Sequence, residues 1–167
     1  MSLSEHTTTF NIRSATATDI QNLNWALEVL ACELGDKYRA NTTILSDACL
    51  GPNATCFGLI AQKASKTIGA ALVSPVFSTT NGSSGIYVSD LWVSASARGS
   101  GIGRALLRTS AKIGASKWKS EFVKLTVYAD NTDAAQFYDR LGFSRAKRDR
   151  TCLLSGVKLA SLIGDAN

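Results

Sequence analysis

Histidine and proline are nearly missing from this sequence: its 167 residues include 1 histidine and 2 prolines. The histidine, His6, lies close to the N-terminus, so none is available for a Ser-His-Asp or Cys-His catalytic arrangement, and a structural zinc site lacks ligands. The cysteines include no Cys-x-x-Cys pair, and we interpret all of them as small buried apolar residues. We therefore predict no metal site. The cysteines are Cys32, Cys49, Cys56 and Cys152.

Long apolar runs are missing as well. No run approaches the roughly 18 residues that span a bilayer, and residues 1–10 have neither the basic nor the apolar region of a secretory signal. A hydrophobic fraction of 45% with only 13 glycines excludes disordered and collagen-like classes. We predict a cytoplasmic protein with a flexible leader over residues 1–8 and a single domain over residues 9–167, because about 150 residues make one domain.

Positive charge is concentrated in the second part of the chain. Residues 1–97 hold 5 basic and 7 acidic side chains, whereas residues 98–167 hold 13 basic and 6 acidic ones. Such a basic region fits an anionic partner, which is a nucleic acid, an acidic lipid surface or a phosphorylated cofactor, or it is only a solvated surface. The glycines within the basic region favour the phosphorylated cofactor.

Hydrophobic spacing predicts an α/β (α+β) fold, because strands and helices alternate and at least one strand–helix–strand unit is present. The first helix is predicted to begin with a capping box of Thr18 and Gln21. Predicted strands cover residues 9–13, 56–62, 67–77, 86–93, 123–127, 143–145 and 151–154, and predicted helices cover 18–35, 43–50, 102–113 and 131–142.

A glycine-rich segment follows the strand that ends at Val93 and precedes a predicted helix. Alternate glycines let the backbone approach a ligand closely, and the N–H groups at a helix start attract an anion. The spacing fits neither the dinucleotide fingerprint nor the Walker loop, but it matches R-x-x-G-x-G. We interpret the segment as a pyrophosphate cradle. Its residues are Arg98, Gly99, Ser100, Gly101, Ile102, Gly103 and Arg104.

A second block, residues 125–143, combines a strand, Asn131, a helix that carries Tyr138, and Gly-Phe. With both blocks, which cover residues 86–145, the chain resembles the GNAT superfamily of acyl-CoA-dependent N-acetyltransferases. The resemblance implies a mixed, mostly antiparallel sheet flanked by helices on both faces, with acetyl-CoA as cosubstrate. It also implies backbone contacts of Leu91 and Val93 with the pantetheine arm, the cradle on the pyrophosphate, and Asn131 and Tyr138 near the thioester.

A run from Phe77 to Val93 is similar to the diamine/polyamine N-acetyltransferase-like branch of that family. This chain has Ser89 where the branch has its first carboxylate, so only Asp90 is left. The departure counts against polyamines as substrates.

Several candidate residues can be interpreted as having either a structural or a functional role. Tyr138 is either a core residue or the acid that protonates the leaving CoA sulfur, and Asn131 is a helix cap, a ligand contact or both. Strand alternation places Asp90 on one face with Val88 and Trp92, where it either pairs with an arginine or faces the acceptor. Weaker candidates for recognising an amine are Glu33, Asp36 and Tyr38.

The sequence therefore predicts acetyl transfer from acetyl-CoA to a primary amine of a small molecule, by direct attack in a ternary complex. Alternatives are acetylation of a protein or peptide amine, a non-catalytic CoA-binding module, and a nucleic-acid binder that uses the basic region. The chain lacks the interleaved aromatics that favour nucleic-acid binding, so we predict neither nucleic acid nor membrane as a partner. A homodimer is suggested only by analogy, because relatives in the family often dimerise.

Overall fold

The computed structural model describes residues 10–146 and 151–164. These residues divide into two compact units, the first ending at Tyr128 and the second beginning at Ala129. No helix among the described residues has the length and apolar content to cross a membrane. The elements are β1 (Asn11–Ser14), α1 (Ile20–Leu34), α2 (Thr42–Leu50), β2 (Phe57–Lys63), β3 (Lys66–Ser78), β4 (Ser83–Val93), α3 (Ile102–Trp118), β5 (Phe122–Leu125), α4 (Thr132–Arg140) and α5 (Val157–Ile163).

Strands β1 to β5 form one sheet in which they follow each other in chain order. The first three pairings are antiparallel, and β4 and β5 are parallel, connected by α3. A parallel connection needs such a crossover, since the chain must return to the same end of the sheet. The predicted fold class, an α/β fold with a mixed and mostly antiparallel sheet, is confirmed.

Helices α1 and α3 cover opposite faces of this sheet. A Cβ built at Gly58 would lie 2.4 Å from the Leu23 side chain of α1, and one at Gly69 would lie 2.9 Å from the Ile102 side chain of α3. Gly58 pairs with Leu72, three residues along β3 from Gly69, so the two glycines lie on opposite faces. Each glycine therefore lets one helix pack closely on the strands.

The turn that begins α1 is built on Thr16 and Asp19, not on the predicted Thr18 and Gln21. Asp19 is 4% exposed, and its carboxylate accepts hydrogen bonds from the Thr16 N–H (2.9 Å), the Thr16 hydroxyl (2.8 Å) and both terminal nitrogens of Arg13. These partners, the Arg13 guanidinium first among them, hold the pKa of Asp19 well below its ordinary value. The ionised carboxylate thus ties β1 to the start of α1.

We expect Asp19→Asn to lower the free energy of unfolding at pH 7 by roughly 2–3 kcal/mol, because a charged hydrogen-bond acceptor is removed from a buried position. The folded pKa lies below the unfolded one, so the wild type loses this stabilisation as the pH falls below about 4. Urea denaturation at pH 7 and pH 3 measures both effects. Asp47→Asn, on an exposed side chain of α2, should change stability by less than about 0.5 kcal/mol. Equal losses in both variants would contradict this account.

The predicted closing strands at 143–145 and 151–154 are wrong. The N–H of Phe143 donates to the carbonyl of Tyr138 (3.1 Å), and Nε of Arg145 donates to Asp139 (3.1 Å), so the chain turns back onto the end of α4. Residues 151–155 form no strand either, and the unpredicted α5 follows them. An apolar pattern alone does not make a strand, because the ladder requires a partner. The predicted leader and residues 147–150 of the basic turn lie outside the described residues.

Candidate active site

The glycine-rich segment forms the start of α3, as predicted. Gly99 has φ +77° and Gly101 φ +84°, and a Cβ at either position would meet nothing within 4 Å. These glycines are therefore required by their left-handed backbone, while the space beside them is open. The first helical hydrogen bond runs from Ala105 N–H to the Gly101 carbonyl (3.0 Å), so the preceding N–H groups of the segment have no helical acceptor. An anion such as a pyrophosphate fits these donors.

The two arginines of the cradle differ in their partners. Arg98 donates from Nε to the Val93 carbonyl (3.0 Å) and from its guanidinium to the Glu33 carboxylate (2.6 Å). It therefore connects the end of α1 with the end of β4. Arg104 is exposed and forms no ion pair with the described residues. Of the two predicted phosphate cations, Arg104 is the one that keeps its charge available.

The edge of β4 leading to the cradle has no strand beside it in the described sheet. The β4–β5 ladder ends at the pair of Val88 and Leu125, and β4 continues for five more residues to Val93. Backbone groups of Leu91 and Val93 lie in this stretch. The hydroxyl of Ser94, which directly follows β4, is buried without a hydrogen-bond partner among the described residues. An extended ligand with amide groups, such as a pantetheine arm, fits this edge.

A β-bulge at Ser89 corrects the predicted alternation of β4. Leu72 pairs with Asp90 and Val73 pairs with Val88, so Ser89 has no partner in the ladder. Adjacent residues of β3 point to opposite faces, and Val88 and Asp90 therefore do so too. The prediction that Val88 shares the face of Asp90 is wrong. Asp90 lies on the face covered by α1, whereas Val93, which pairs with Gly69, lies on the face covered by α3.

Asp90 is half-buried, and burial raises the pKa of its carboxyl group, although a hydrogen bond from Ser89 acts in the opposite direction. No arginine, lysine or histidine among the described residues forms an ion pair with it. The structural alternative, an arginine partner, thus finds no support in the described part of the chain. A half-buried carboxylate without a cation is suited to attract one.

The three weaker candidates for recognising an amine lie on α1 or shortly after it, and each forms a side-chain hydrogen bond. Glu33 binds Arg98, Asp36 accepts a hydrogen bond from the Tyr128 hydroxyl (2.9 Å), and the Tyr38 hydroxyl donates to Asn24 (2.9 Å). Burial, followed by the charge of Asp90, raises the pKa of Tyr38. Tyr38 is thus the candidate that the structure brings into the surroundings of Asp90.

Sequence reasoning missed Asn24 and Glu28, which lie four residues apart on α1. Asn24 holds the Tyr38 hydroxyl, and the charge of Glu28 contributes to the raised pKa of Tyr38. The only sequence signal for them is their spacing of four residues, which places both on one face of the helix. It was too general to separate them from other surface residues.

Tyr138 lies on α4 and Asn131 directly precedes this helix, and both belong to the second unit. The Asn131 side chain accepts a hydrogen bond from the Ala134 N–H (3.2 Å), so it caps α4 as predicted. The Tyr138 ring is half-buried between Phe137 and Phe143, with centroid distances of 5.2 and 5.5 Å. Burial raises the pKa of its phenol, which keeps the hydroxyl protonated and able to donate.

Residues 18–143 match the family model described as the acetyltransferase (GNAT) family. No curated protein matches the chain. Among solved structures, an integron cassette protein from the mobile metagenome of V. cholerae is 25% identical, with a TM-score of 0.73 over 92% of this chain and 97% of that chain.

Two further structures share the fold at lower identity. An aminoglycoside acetyltransferase from an uncultured soil metagenomic sample is 16% identical, with a TM-score of 0.72 over 88% of this chain and 99% of that chain. A ribosomal-protein-alanine N-acetyltransferase from Brucella melitensis biovar Abortus 2308 is 18% identical, with a TM-score of 0.70 over 89% of this chain and 100% of that chain.

Proposed function

Since this chain belongs to the GNAT acetyltransferase family and is an acyltransferase, we propose that it acetylates the primary amine of a small molecule by direct attack in a ternary complex. The observation that carries the proposal is the position of Asp90. This half-buried carboxylate forms no ion pair with the described residues. It lies on β4, three residues before the end of the strand that leads to the glycine cradle. A cationic amine beside Asp90 and an anionic cofactor on the cradle would then occupy separate positions along one strand.

Acetyl-CoA, the cosubstrate of the family, supplies an activated acyl thioester. The backbone N–H groups from Gly99 to Arg104 and the Arg104 side chain would hold its pyrophosphate, and the free edge at Leu91 and Val93 would hold its pantetheine arm. Fixing the thioester against the amine converts a bimolecular encounter into an oriented one, which is a major source of rate. The chain needs no covalent intermediate, and its only histidine is His6.

Asp90 and Tyr138 would carry the proton chemistry. An acceptor amine arrives protonated at neutral pH, so it is drawn to the Asp90 carboxylate and then loses its proton there, directly or through water. Tyr138, whose raised pKa keeps it protonated, would donate a proton to the departing sulfur. The resemblance to the polyamine branch supports a small cationic amine, while Ser89 in place of the branch's first carboxylate argues for an acceptor other than a polyamine.

We expect Asp90→Asn to raise KM for a cationic acceptor or to lower kcat, and to leave acetyl-CoA affinity unchanged. The folded pKa of Asp90 is raised, so ionisation costs stability as the pH rises above about 4. The asparagine variant should therefore be at least as stable as the wild type at pH 7. Steady-state kinetics and urea denaturation at pH 7 measure these effects. A less stable variant with unchanged activity per folded molecule would make Asp90 a structural partner instead.

A panel assay identifies the acceptor. CoA release is followed with aminoglycosides, polyamines, amino acids and peptides as acceptors, with Asp90→Asn run in parallel on each. The proposal expects turnover with a small primary amine that depends on Asp90. Turnover only with peptides would replace the small-molecule acceptor by a protein amine. Tight acetyl-CoA binding without turnover on any acceptor would indicate a CoA-binding module.

A further inference from the structure

Two of the cysteines lie side by side at the junction of α2 and β2. Cys49 is in the last turn of α2 and is 7% exposed, whereas Cys56 directly precedes β2 and is half-buried. Their sulfur atoms are 3.6 Å apart. The N–H groups of Thr55 and Cys56 both donate to the carbonyl of Ala48, at 3.0 and 3.2 Å. These backbone hydrogen bonds hold the two segments together and keep the sulfurs in van der Waals contact, and a disulfide would shorten their separation to roughly 2.05 Å.

The two thiols differ in acidity because one donates to the other. The hydrogen bond from Cys49 lowers the pKa of Cys56 below the ordinary value of a thiol, with help from Thr55, although burial and the charge of Asp90 oppose it. The same hydrogen bond, together with burial, raises the pKa of Cys49. Cys56 is therefore the more acidic thiol of the pair, and its buried neighbour Cys49 is the one that stays protonated. A thiolate beside a second thiol is the arrangement that reacts with oxidants.

We propose that Cys49 and Cys56 form a peroxide-reactive dithiol that closes reversibly to a disulfide between α2 and β2. The Cys56 thiolate attacks an oxygen of hydrogen peroxide, which breaks the O–O bond, gives a sulfenic acid and releases one water once the departing oxygen is protonated. The Cys49 sulfur then attacks the sulfenic sulfur, gives up its proton and releases a second water as the S–S bond forms. In sum, two thiols and one peroxide give one disulfide and two waters, and a small thiol reductant reverses the change.

This pair is a site separate from the cofactor cradle, and it lies in the surroundings of Asp90, whose charge acts on Cys56. The interpretation of all four cysteines as buried residues is wrong for Cys32 and Cys152, which are exposed. Neither of their sulfurs has a second cysteine within hydrogen-bond distance among the described residues. Both can therefore be replaced without touching the pair. The chemistry of the pair does not depend on acetyl transfer, so it can be tested independently of the proposed function.

The test uses the full chain with Cys32→Ser and Cys152→Ser, so that only the pair is left. Hydrogen peroxide is added at pH 7, unreacted thiols are alkylated after unfolding, and the intact mass is measured. We expect loss of two hydrogen masses, no alkylation, and full recovery of two alkylated thiols after a reductant. Iodoacetamide alkylation of the folded protein should give one fast thiol whose rate rises with an apparent pKa clearly below the ordinary value of about 8.5.

Two further variants separate the roles of the sulfurs. Cys49→Ala should leave a sulfenic acid at Cys56 that a dione reagent traps, formed more slowly than the disulfide of the parent because the hydrogen bond that lowers the Cys56 pKa is lost. Cys56→Ala should leave a thiol that reacts slowly while the protein is folded. Serine versions of both variants replace any alanine variant that fails to fold. Peroxide that gives sulfinic acid or dimers instead of the internal disulfide overturns the proposal. So does an alkylation profile with a pKa of about 8.5 or higher, which would make the two cysteines packed core residues.

Discussion

Gly101→Asp should reduce the affinity for acetyl-CoA by about a thousandfold. The position is open to solvent, and the new carboxylate would lie where the backbone N–H groups are expected to hold a pyrophosphate. Two like charges about 4 Å apart near a protein surface repel by about 4 kcal/mol, which corresponds to about three powers of ten in Kd. The positive φ adds a modest cost in stability for any residue but glycine. Isothermal calorimetry with acetyl-CoA and a thermal melt measure the two effects separately.

Gly82→Asp is the matched control for this variant. Gly82 has φ +65° and nothing within 4 Å of an added Cβ, so the substitution brings the same charge and a similar backbone cost. It lies in the turn between β3 and β4, away from the cradle segment. We expect it to change stability as Gly101→Asp does and to leave acetyl-CoA binding unchanged. Near-normal acetyl-CoA affinity in folded Gly101→Asp would remove the cradle from the cofactor site.

Tyr138→Phe should lower kcat by about 10²–10⁴-fold, the range typical of a lost general acid. The substitution removes only the hydroxyl and keeps the ring that packs against Phe137 and Phe143. Stability and acetyl-CoA affinity should therefore stay close to those of the wild type. The rate is measured with a poor acceptor, so that the chemical step limits turnover.

Tyr87→Phe is the control for loss of a tyrosine hydroxyl elsewhere. The Tyr87 hydroxyl bonds to Thr126 (3.2 Å), and its removal touches the β4–β5 region without removing a proposed acid. We expect a small change in kcat. Unchanged turnover in Tyr138→Phe would assign Tyr138 to the core of the second unit and leave protonation of the sulfur to water.

Local rules were enough to place the cradle and the cap of α4. A left-handed backbone at Gly99 and Gly101 and an open helix start follow from the residues of one short segment, and so does the hydrogen bond from Ala134 to Asn131. The strand–helix–strand unit around α3 could also be predicted, because the spacing of its apolar residues changes from the alternation of a strand to the three- and four-residue spacing of a helix and back again. These features depend on few contacts from distant parts of the chain.

Features that depend on contacts between residues far apart in the chain could not be predicted from the sequence in the same way. The bulge at Ser89 is a matter of register with β3, and nothing in the sequence of β4 alone requires it. Glu33 and Arg98 are 65 residues apart, so their ion pair required the fold to be known. The contact between Cys49 and Cys56 arises because the turn after α2 brings the chain back to Ala48. In each case a tertiary contact decides what the side chain does.

The central claim, acetyl transfer to a small primary amine within a ternary complex, is tested most directly by initial rates of acetylated-amine formation. Acetyl-CoA and the best acceptor of the panel are varied together over a grid of concentrations. The account predicts acetylated amine in equal amount to released CoA, and double-reciprocal lines that intersect. Parallel lines would indicate a covalent acetyl-enzyme, and CoA release without any acetylated amine would contradict the account.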